Sequence, residues 1–216
     1  MGMIKLWDNN KIGTLIIGYY RTGTHFLQDV IADQYTDKIE ITNEICNDNT
    51  IHDLEQLTTS AAPYKLSILN NCAPKFYLTG SNELLTHWHI INLTRNNKVE
   101  HFISHWFWYQ NSIEDQLIGG VKFKHHGTSN DVYKESLGTV KKEIPLDFVT
   151  TWLQEQLINR YIKSDIILDY SDLSKLQSNN IKWTPNRYDD IRLNDIADNY
   201  KEIENLLLNF KLDSTM

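Results

Sequence analysis

Two arginines in this sequence lie a few residues or less beyond short apolar runs, and their chemistry suits the binding of an anion. Arg21 is the fourth residue after the run at residues 14–17, and Arg95 comes directly after a second run at residues 89–94. Runs of this length are typical of buried strands. A guanidinium group offers a planar fork of donors that matches phosphate or sulfate oxygens. Because ligands of parallel sheets bind where the strands end, the two arginines predict one shared anion-binding face.

The segment between the first run and the next apolar pattern adds a second source of positive potential. It reads Gly-Tyr-Tyr-Arg-Thr-Gly-Thr-His-Phe-Leu over residues 18–27 and continues with Val30 and Ile31 at helical spacing, which predicts a strand, a tight loop and a helix. The first N–H groups of a helix have no intrahelical acceptor, and the helix dipole is positive there. Such a loop is a ready anion site. It is not a Walker A loop, because Thr24 and His25 follow the glycine where that motif has Lys and Ser or Thr.

The elements that position these residues alternate between strands and helices along the chain. That alternation predicts an α/β fold with a mainly parallel sheet and right-handed crossovers. Residues 37–60, rich in Asn, Asp and Thr, are expected to form a loop with one short helix. The predicted strands are 14–17, 64–69, 89–95 and 166–168, with a further short strand or hairpin arm at 121–126, and the main predicted helices are 98–118, 146–163 and 186–209.

Composition restricts the class of protein. With 216 residues, 41% of them hydrophobic and 23% charged, the chain is expected to fold as one domain over residues 1–216. A net charge of −7 argues against a nucleic-acid partner. Cys46 and Cys72 provide neither a disulfide framework nor a metal knuckle. No apolar run is long enough to cross a bilayer, so we expect no membrane partner and a cytoplasmic location.

The segment from Tyr20 to Leu27 resembles the 5'-phosphosulfate-binding loop of sulfotransferases that use 3'-phosphoadenosine-5'-phosphosulfate (PAPS). That loop usually reads Pro-Arg/Lys-Ser-Gly-Thr-Thr followed by two apolar residues. The resemblance implies a P-loop-NTPase-like fold in three layers, with PAPS as co-substrate and PAP (adenosine 3',5'-bisphosphate) as product. The residues it assigns to PAPS binding here are Arg21, Thr22, Gly23, Thr24, His25 and Phe26.

A second segment, residues 90–104, is similar to the part of these enzymes that binds the 3'-phosphate of PAPS. There an arginine ends a strand and a serine lies on the following helix. The matching residues are Arg95 and Ser104, spaced as in the bacterial nodulation-type sulfotransferases. A third segment, residues 166–173, resembles a Tyr-Glu-Asp-Leu segment that is structural in the family, so it supports the fold rather than the chemistry.

The family also implies how the reaction is divided among the residues. Arg21 occupies the position of a lysine or arginine that neutralises the bridging oxygen as PAP leaves. The acceptor, a hydroxyl or amine of a carbohydrate, lipid or small metabolite, needs a general base. Glu44 holds the place of a family glutamate and is the first candidate, and His25, directly after the loop, is the second.

Three other interpretations stay open at the level of sequence. A P-loop-like kinase or hydrolase is disfavoured by the missing Gly-Lys-Ser/Thr. The second is a catalytically silent PAP(S)-binding protein, which stays open because Tyr20 replaces the usual loop proline. His101 and His105 are four residues apart on a predicted helix, as in some zinc sites, but no HExxH motif is present. We therefore predict that they pack among aromatic side chains and that the protein binds no metal.

Overall fold

The computed structural model describes residues 5–19, 21–45, 50–61, 63–70, 82–117, 143–158, 162–176, 183 and 191–210. The chain forms two compact units, which are described separately below. The first comprises Met1–Asn96 and Gln154–Trp183, and the second comprises Asn97–Leu153 and Thr184–Met216. The assignment of residues 1–216 to a single domain stays a prediction.

The first unit contains a sheet of five strands, and all of its strand pairs are parallel. The predicted α/β fold with a parallel sheet is thereby confirmed. The strands are β1 (Gly13–Gly18), β2 (Ile39–Ile45), β3 (Tyr64–Asn70), β4 (His89–Thr94) and β5 (Ile166–Asp169), in the spatial order β2-β3-β1-β4-β5.

Helices cover both faces of this sheet, which makes the unit three layers thick. Alternate residues of β1 point to opposite faces: Ile16 joins one apolar cluster, whereas Leu15 and Ile17 join the other. The first cluster includes α1 (Thr24–Gln34) and a 3₁₀ helix (Tyr170–Lys175). The second cluster includes α2 (Thr50–Thr59) and α3 (Asn82–Leu85).

The connections of the sheet place β1 at its centre. The chain leaves β1 to form β2 and then β3 on one side, and it crosses over to form β4 on the other side. Gly18, the last residue of β1, pairs with Asn70 of β3 and with Leu93 of β4. A parallel sheet opens a crevice for ligands at such a reversal, beyond the carboxyl ends of the strands. The loop after β1 and Arg95 after β4 both lie at this end of the sheet.

The expectation that residues 37–60 form a loop apart from one short helix was wrong, because β2 lies within them. A register shift between Thr42 and Ile45 explains why the pattern was hidden. Strict alternation would turn Ile39 and Ile45 to the same face, but Ile39 packs with the first apolar cluster and Ile45 with the second. Ile41 is 48% exposed at this edge of the sheet, which weakens the signal further.

Two of the predicted helices are shorter than expected. The helix predicted at residues 146–163 is α5 (Leu146–Ile158), and Ile162 is no longer helical. The helix predicted at residues 186–209 is wrong as a single element, because extended backbone at Ala197 separates α6 (Leu193–Ile196) from α7 (Tyr200–Asn209). The short strand predicted at residues 121–126 lies outside the described residues.

The second unit is built from helices, including α4 (Lys98–Leu117), which confirms the prediction for residues 98–118. Aromatic rings of α4 and the first part of α5 pack together, with Phe102 5.2 Å from Trp152 and 6.3 Å from Phe148 between centroids. The side chain of Asn199 accepts a hydrogen bond from the Ile144 N–H and donates one to the Ile144 carbonyl, which fixes the segment before α5.

Candidate functional site

The loop after β1 is held in a tight turn by its own residues. The Thr22 N–H donates to the carbonyl oxygen of Tyr19 at 3.3 Å, and the Thr22 hydroxyl donates to the same oxygen at 2.6 Å. Arg21, inside this turn, has a φ of 67°, and Gly23 has a φ of 86°. A non-glycine residue in this left-handed region costs about 1–2 kcal/mol, and such strain is concentrated at functional sites.

Gly23 is required here for two reasons. Its positive φ disfavours residues that carry a Cβ, and a Cβ built at this position would lie 2.6 Å from Cδ1 of Leu173 in the 3₁₀ helix. Gly18 is similarly crowded, because a Cβ there would come within 2.7 Å of Thr22 Oγ1 and Thr24 Cγ2. The two glycines therefore let the loop fold back closely onto the end of β1.

Helix α1 starts directly after this loop. The first hydrogen bond of the helix runs from the Leu27 N–H to the Gly23 carbonyl at 3.1 Å. The N–H groups of Thr24, His25 and Phe26 come before Leu27, in the first turn, where the helix itself offers no carbonyl acceptor. The first turn contains no acidic side chain to offset the positive end of the dipole. Thr24 is buried, whereas His25 and Arg21 are exposed. The geometry gives this end of α1 the polarity that an anion requires.

Arg95 lies against the same loop. Its side chain is 4% exposed, and Nη1 donates to the backbone carbonyl of Arg21 at 3.4 Å. The guanidinium carbon lies 4.2 Å from the centroid of the Tyr170 ring, within the range of a cation–π interaction. The structure thus brings both strand-end arginines to one loop, as the sequence predicts.

Three aromatic side chains pack together, and one of them, Tyr170, is the ring that contacts Arg95. Trp183 meets Phe26 edge to face at a centroid distance of 4.7 Å and meets Tyr170 in the same way at 4.8 Å. All three are partly exposed. Aromatic surfaces of this kind stack on flat heterocycles as readily as on each other. Phe26 is a predicted site residue, whereas Tyr170 and Trp183 are not, because only the fold brings the three rings together.

A hydrogen bond that spans 136 residues anchors the start of the loop. The phenol of Tyr19 donates to Oε2 of Glu155 on α5 at 2.6 Å. Because Tyr19 also supplies the carbonyl that closes the turn on Thr22, Glu155 helps to fix the loop. No local pattern in the sequence links these two residues, so Glu155 cannot be identified as a partner of the loop before the fold is known.

Two predicted site residues are not placed at this loop by the described structure. Glu44 belongs to β2, but its side chain lies outside the described residues. Ser104 lies on α4 in the second unit, where its side chain is 2% exposed. The roles given to these two residues stay predictions.

The paired histidines of α4 lie among aromatic rings, as predicted. The ring of His101 meets Trp152 edge to face at 5.2 Å, and the ring of His105 stacks on Phe148 at 6.0 Å. Within the described parts of the chain, no three His, Cys, Asp or Glu side chains gather as metal ligands would. None of the helices in those parts has both the length and the apolar character needed to cross a membrane.

Comparison of the chain with protein-family models, curated proteins and solved structures found no match. Membership of the sulfotransferase family therefore stays a prediction from the residues quoted above.

Proposed function

We propose that this protein is a sulfotransferase that binds PAPS and transfers its sulfuryl group to a hydroxyl or amine of a carbohydrate, lipid or small metabolite. One observation carries the proposal: Arg95 donates to the carbonyl of Arg21, so two cationic side chains from distant segments share one loop at the carboxyl end of a parallel sheet. A ligand with two separate anionic groups suits such an arrangement better than a ligand with one.

The 5'-phosphosulfate would be held by the loop and the start of α1. The N–H groups of Gly23, Thr24 and His25 supply donors at the positive end of the helix, and Arg21 adds a full charge. In the structure both donors of Thr22 bond to Tyr19. We therefore assign Thr22 to the shape of the loop, and its predicted contact with the ligand would require its hydroxyl to leave the Tyr19 carbonyl.

Arg95 would bind the 3'-phosphate, which distinguishes PAPS from ordinary 5'-nucleotides. Its burial lowers the local dielectric and strengthens a charge-assisted bond, and the Tyr170 ring supports the guanidinium from one side. Ser104 is the predicted second contact. Phe26, Tyr170 and Trp183 offer flat apolar surface for the adenine between the two anionic groups.

The chain's contribution to transfer is positioning and charge stabilisation, as in phosphoryl transfer. A bond forms between the acceptor atom and sulfur while the bond from sulfur to the 5'-phosphate oxygen of PAP breaks. Arg21 stabilises the negative charge that develops on that oxygen. The acceptor proton passes to a base, for which Glu44 and then His25 remain the candidates.

Thermal unfolding with added nucleotides tests the proposal, because a ligand that binds the folded state raises the midpoint. We expect PAP to raise it more than 5'-AMP, which lacks the 3'-phosphate, or ATP. A preference for ATP would instead favour a kinase or hydrolase. Stabilisation by PAP without transfer from PAPS to a panel of acceptors would favour a silent binding protein.

A further inference from the structure

Two carboxylates hold β4 to the segment around β5, one at each end of the strand pair. Before β5, Oδ2 of Asp165 accepts a hydrogen bond from the Ile90 N–H at 2.7 Å. At the end of β5, Oδ2 of Asp169 accepts one from the Asn96 N–H, also at 2.7 Å. The second bond lies at the end of the sheet that carries the candidate site, and the first lies at the opposite end.

The carboxylate of Asp169 is itself fixed in orientation. Its other oxygen, Oδ1, accepts hydrogen bonds from the Ser171 N–H at 3.0 Å and from the Ser171 hydroxyl at 2.7 Å. The backbone N–H of Asp169 donates to Oδ2 of Asp172 at 3.1 Å, which completes a capping box at the start of the 3₁₀ helix. With both oxygens engaged, the Asp169 side chain has little freedom to rotate.

The end of β5 is hydrogen-bonded to both chain neighbours of Arg95. On one side, the Thr94 hydroxyl donates to the Leu168 carbonyl at 3.2 Å. On the other side, the Asn96 N–H donates to Asp169. The Arg95 guanidinium in turn lies over Tyr170, the residue after Asp169. The end of β5 therefore fixes the backbone of Arg95 on both sides and supports its side chain.

We propose that Asp169 is a positioning residue that fixes the direction of Arg95 and thereby sets the preference of the site for nucleotides with a 3'-phosphate. This inference rests on the proposed function, since it takes Arg95 as the ligand of that phosphate. A guanidinium that is already aimed binds an anion without the entropic cost of ordering its side chain. A small displacement of such a group weakens the interaction with phosphate more than it disturbs the fold.

The Asp169→Asn variant tests this role. An amide has one oxygen, so it can accept from Asn96 or from Ser171 but not from both, and its NH₂ faces a donor on the other side. Affinities for PAP and for 5'-AMP, measured by calorimetry on the full chain, isolate the contribution of the 3'-phosphate. We expect PAP to bind about tenfold more weakly, and 5'-AMP to change by less than about twofold.

Asp165→Asn is the matched control. It removes the same charge from the same strand pair, at the end away from the site, and its remaining oxygen can still accept from the Ile90 N–H. We expect it to leave the ratio of PAP to 5'-AMP affinity at the wild-type value, because its hydrogen bond lies at the opposite end of the strand pair from Arg95.

The outcomes separate the inference from the function on which it rests. A wild-type protein that binds PAP no more tightly than 5'-AMP would overturn the proposed function. A wild-type preference for PAP that persists in Asp169→Asn, or that falls equally in Asp165→Asn, would overturn only the positioning role. If Asp169→Asn does not fold, Ser171→Ala decides the matter, because it removes only the hydroxyl contact to Asp169. A smaller loss of PAP preference supports the role in that case, and an unchanged ratio refutes it.

Discussion

Nη1 of Arg95 donates a hydrogen bond to the backbone carbonyl of Arg21 at 3.4 Å, across 74 residues of sequence. The side chain that follows β4 thus contacts the main chain of the loop that follows β1. A change at Arg95 should therefore affect the loop as well as the charge of the site.

Replacement of Arg95 by lysine keeps the charge but loses the planar fork and the guanidinium contact with the Tyr170 ring. We expect Arg95→Lys to weaken PAP binding by about tenfold, or about 1.4 kcal/mol, and Arg95→Ala to weaken it further. Calorimetry with PAP measures both. Arg192→Ala, which removes an exposed arginine of the second unit, is the charge control and should bind PAP normally. Wild-type affinity in Arg95→Ala would contradict the assignment.

The left-handed backbone of Arg21 allows its charge and its strain to be separated. Arg21→Gly and Arg21→Ala both remove the cation, but only glycine adopts a φ of 67° without strain. We expect both variants to lose sulfuryl transfer by about a hundredfold, with the glycine variant more stable by about 1 kcal/mol. Rates with PAPS and urea unfolding test the two effects. Full transfer by Arg21→Gly would remove Arg21 from the mechanism, and equal stabilities would contradict the strain.

Crowding at Gly23 predicts coupling between the loop and the 3₁₀ helix. Gly23→Ala should destabilise the protein by about 1–3 kcal/mol, because the new methyl group meets Leu173 and the φ of 86° becomes strained. Leu173→Ala removes the contact but leaves the strain. The double variant should therefore lose less stability than the sum of the single losses, by about 1 kcal/mol in urea unfolding. A loss in the double variant that equals the sum of the two single losses would contradict the close packing of Gly23 against Leu173.

Burial lowers the pKa of His89 below its usual value near 6.5, although the carboxylate of Asp165, 3.5 Å away, opposes the shift. Around and below pH 6.5 the unfolded chain then binds more protons at this residue than the folded protein does. The contribution of neutral His89 to the free energy of unfolding is complete above pH 6.5 and declines as the pH falls below it, with a slope of at most about 1.4 kcal/mol per pH unit.

His89→Gln removes this titration, so its free energy of unfolding should decline less between pH 7.5 and 5.5 than that of the wild type. Urea unfolding at several pH values measures the difference. If the free energy of unfolding changes equally with pH in the wild type and in His89→Gln, His89 does not titrate as described.

Much of the fold could be predicted because its signals are local. The apolar run of β1, the glycines of the loop and the amphipathic start of α1 each lie within a few residues. β2 was missed because its register shift breaks the alternation on which strand prediction depends. The partners of the site, Glu155 for Tyr19 and Asp169 for Asn96, are distant in sequence, and no local pattern identifies them.

The central claim is that Arg21 and Arg95 hold the two ends of one doubly phosphorylated nucleotide, and a crystal structure of the protein with PAP tests it most directly. We predict one PAP molecule with its 5'-phosphate at the start of α1 and its 3'-phosphate within hydrogen-bond distance of the Arg95 guanidinium. PAP bound away from this loop, or bound there with its 3'-phosphate turned away from Arg95, would contradict the account.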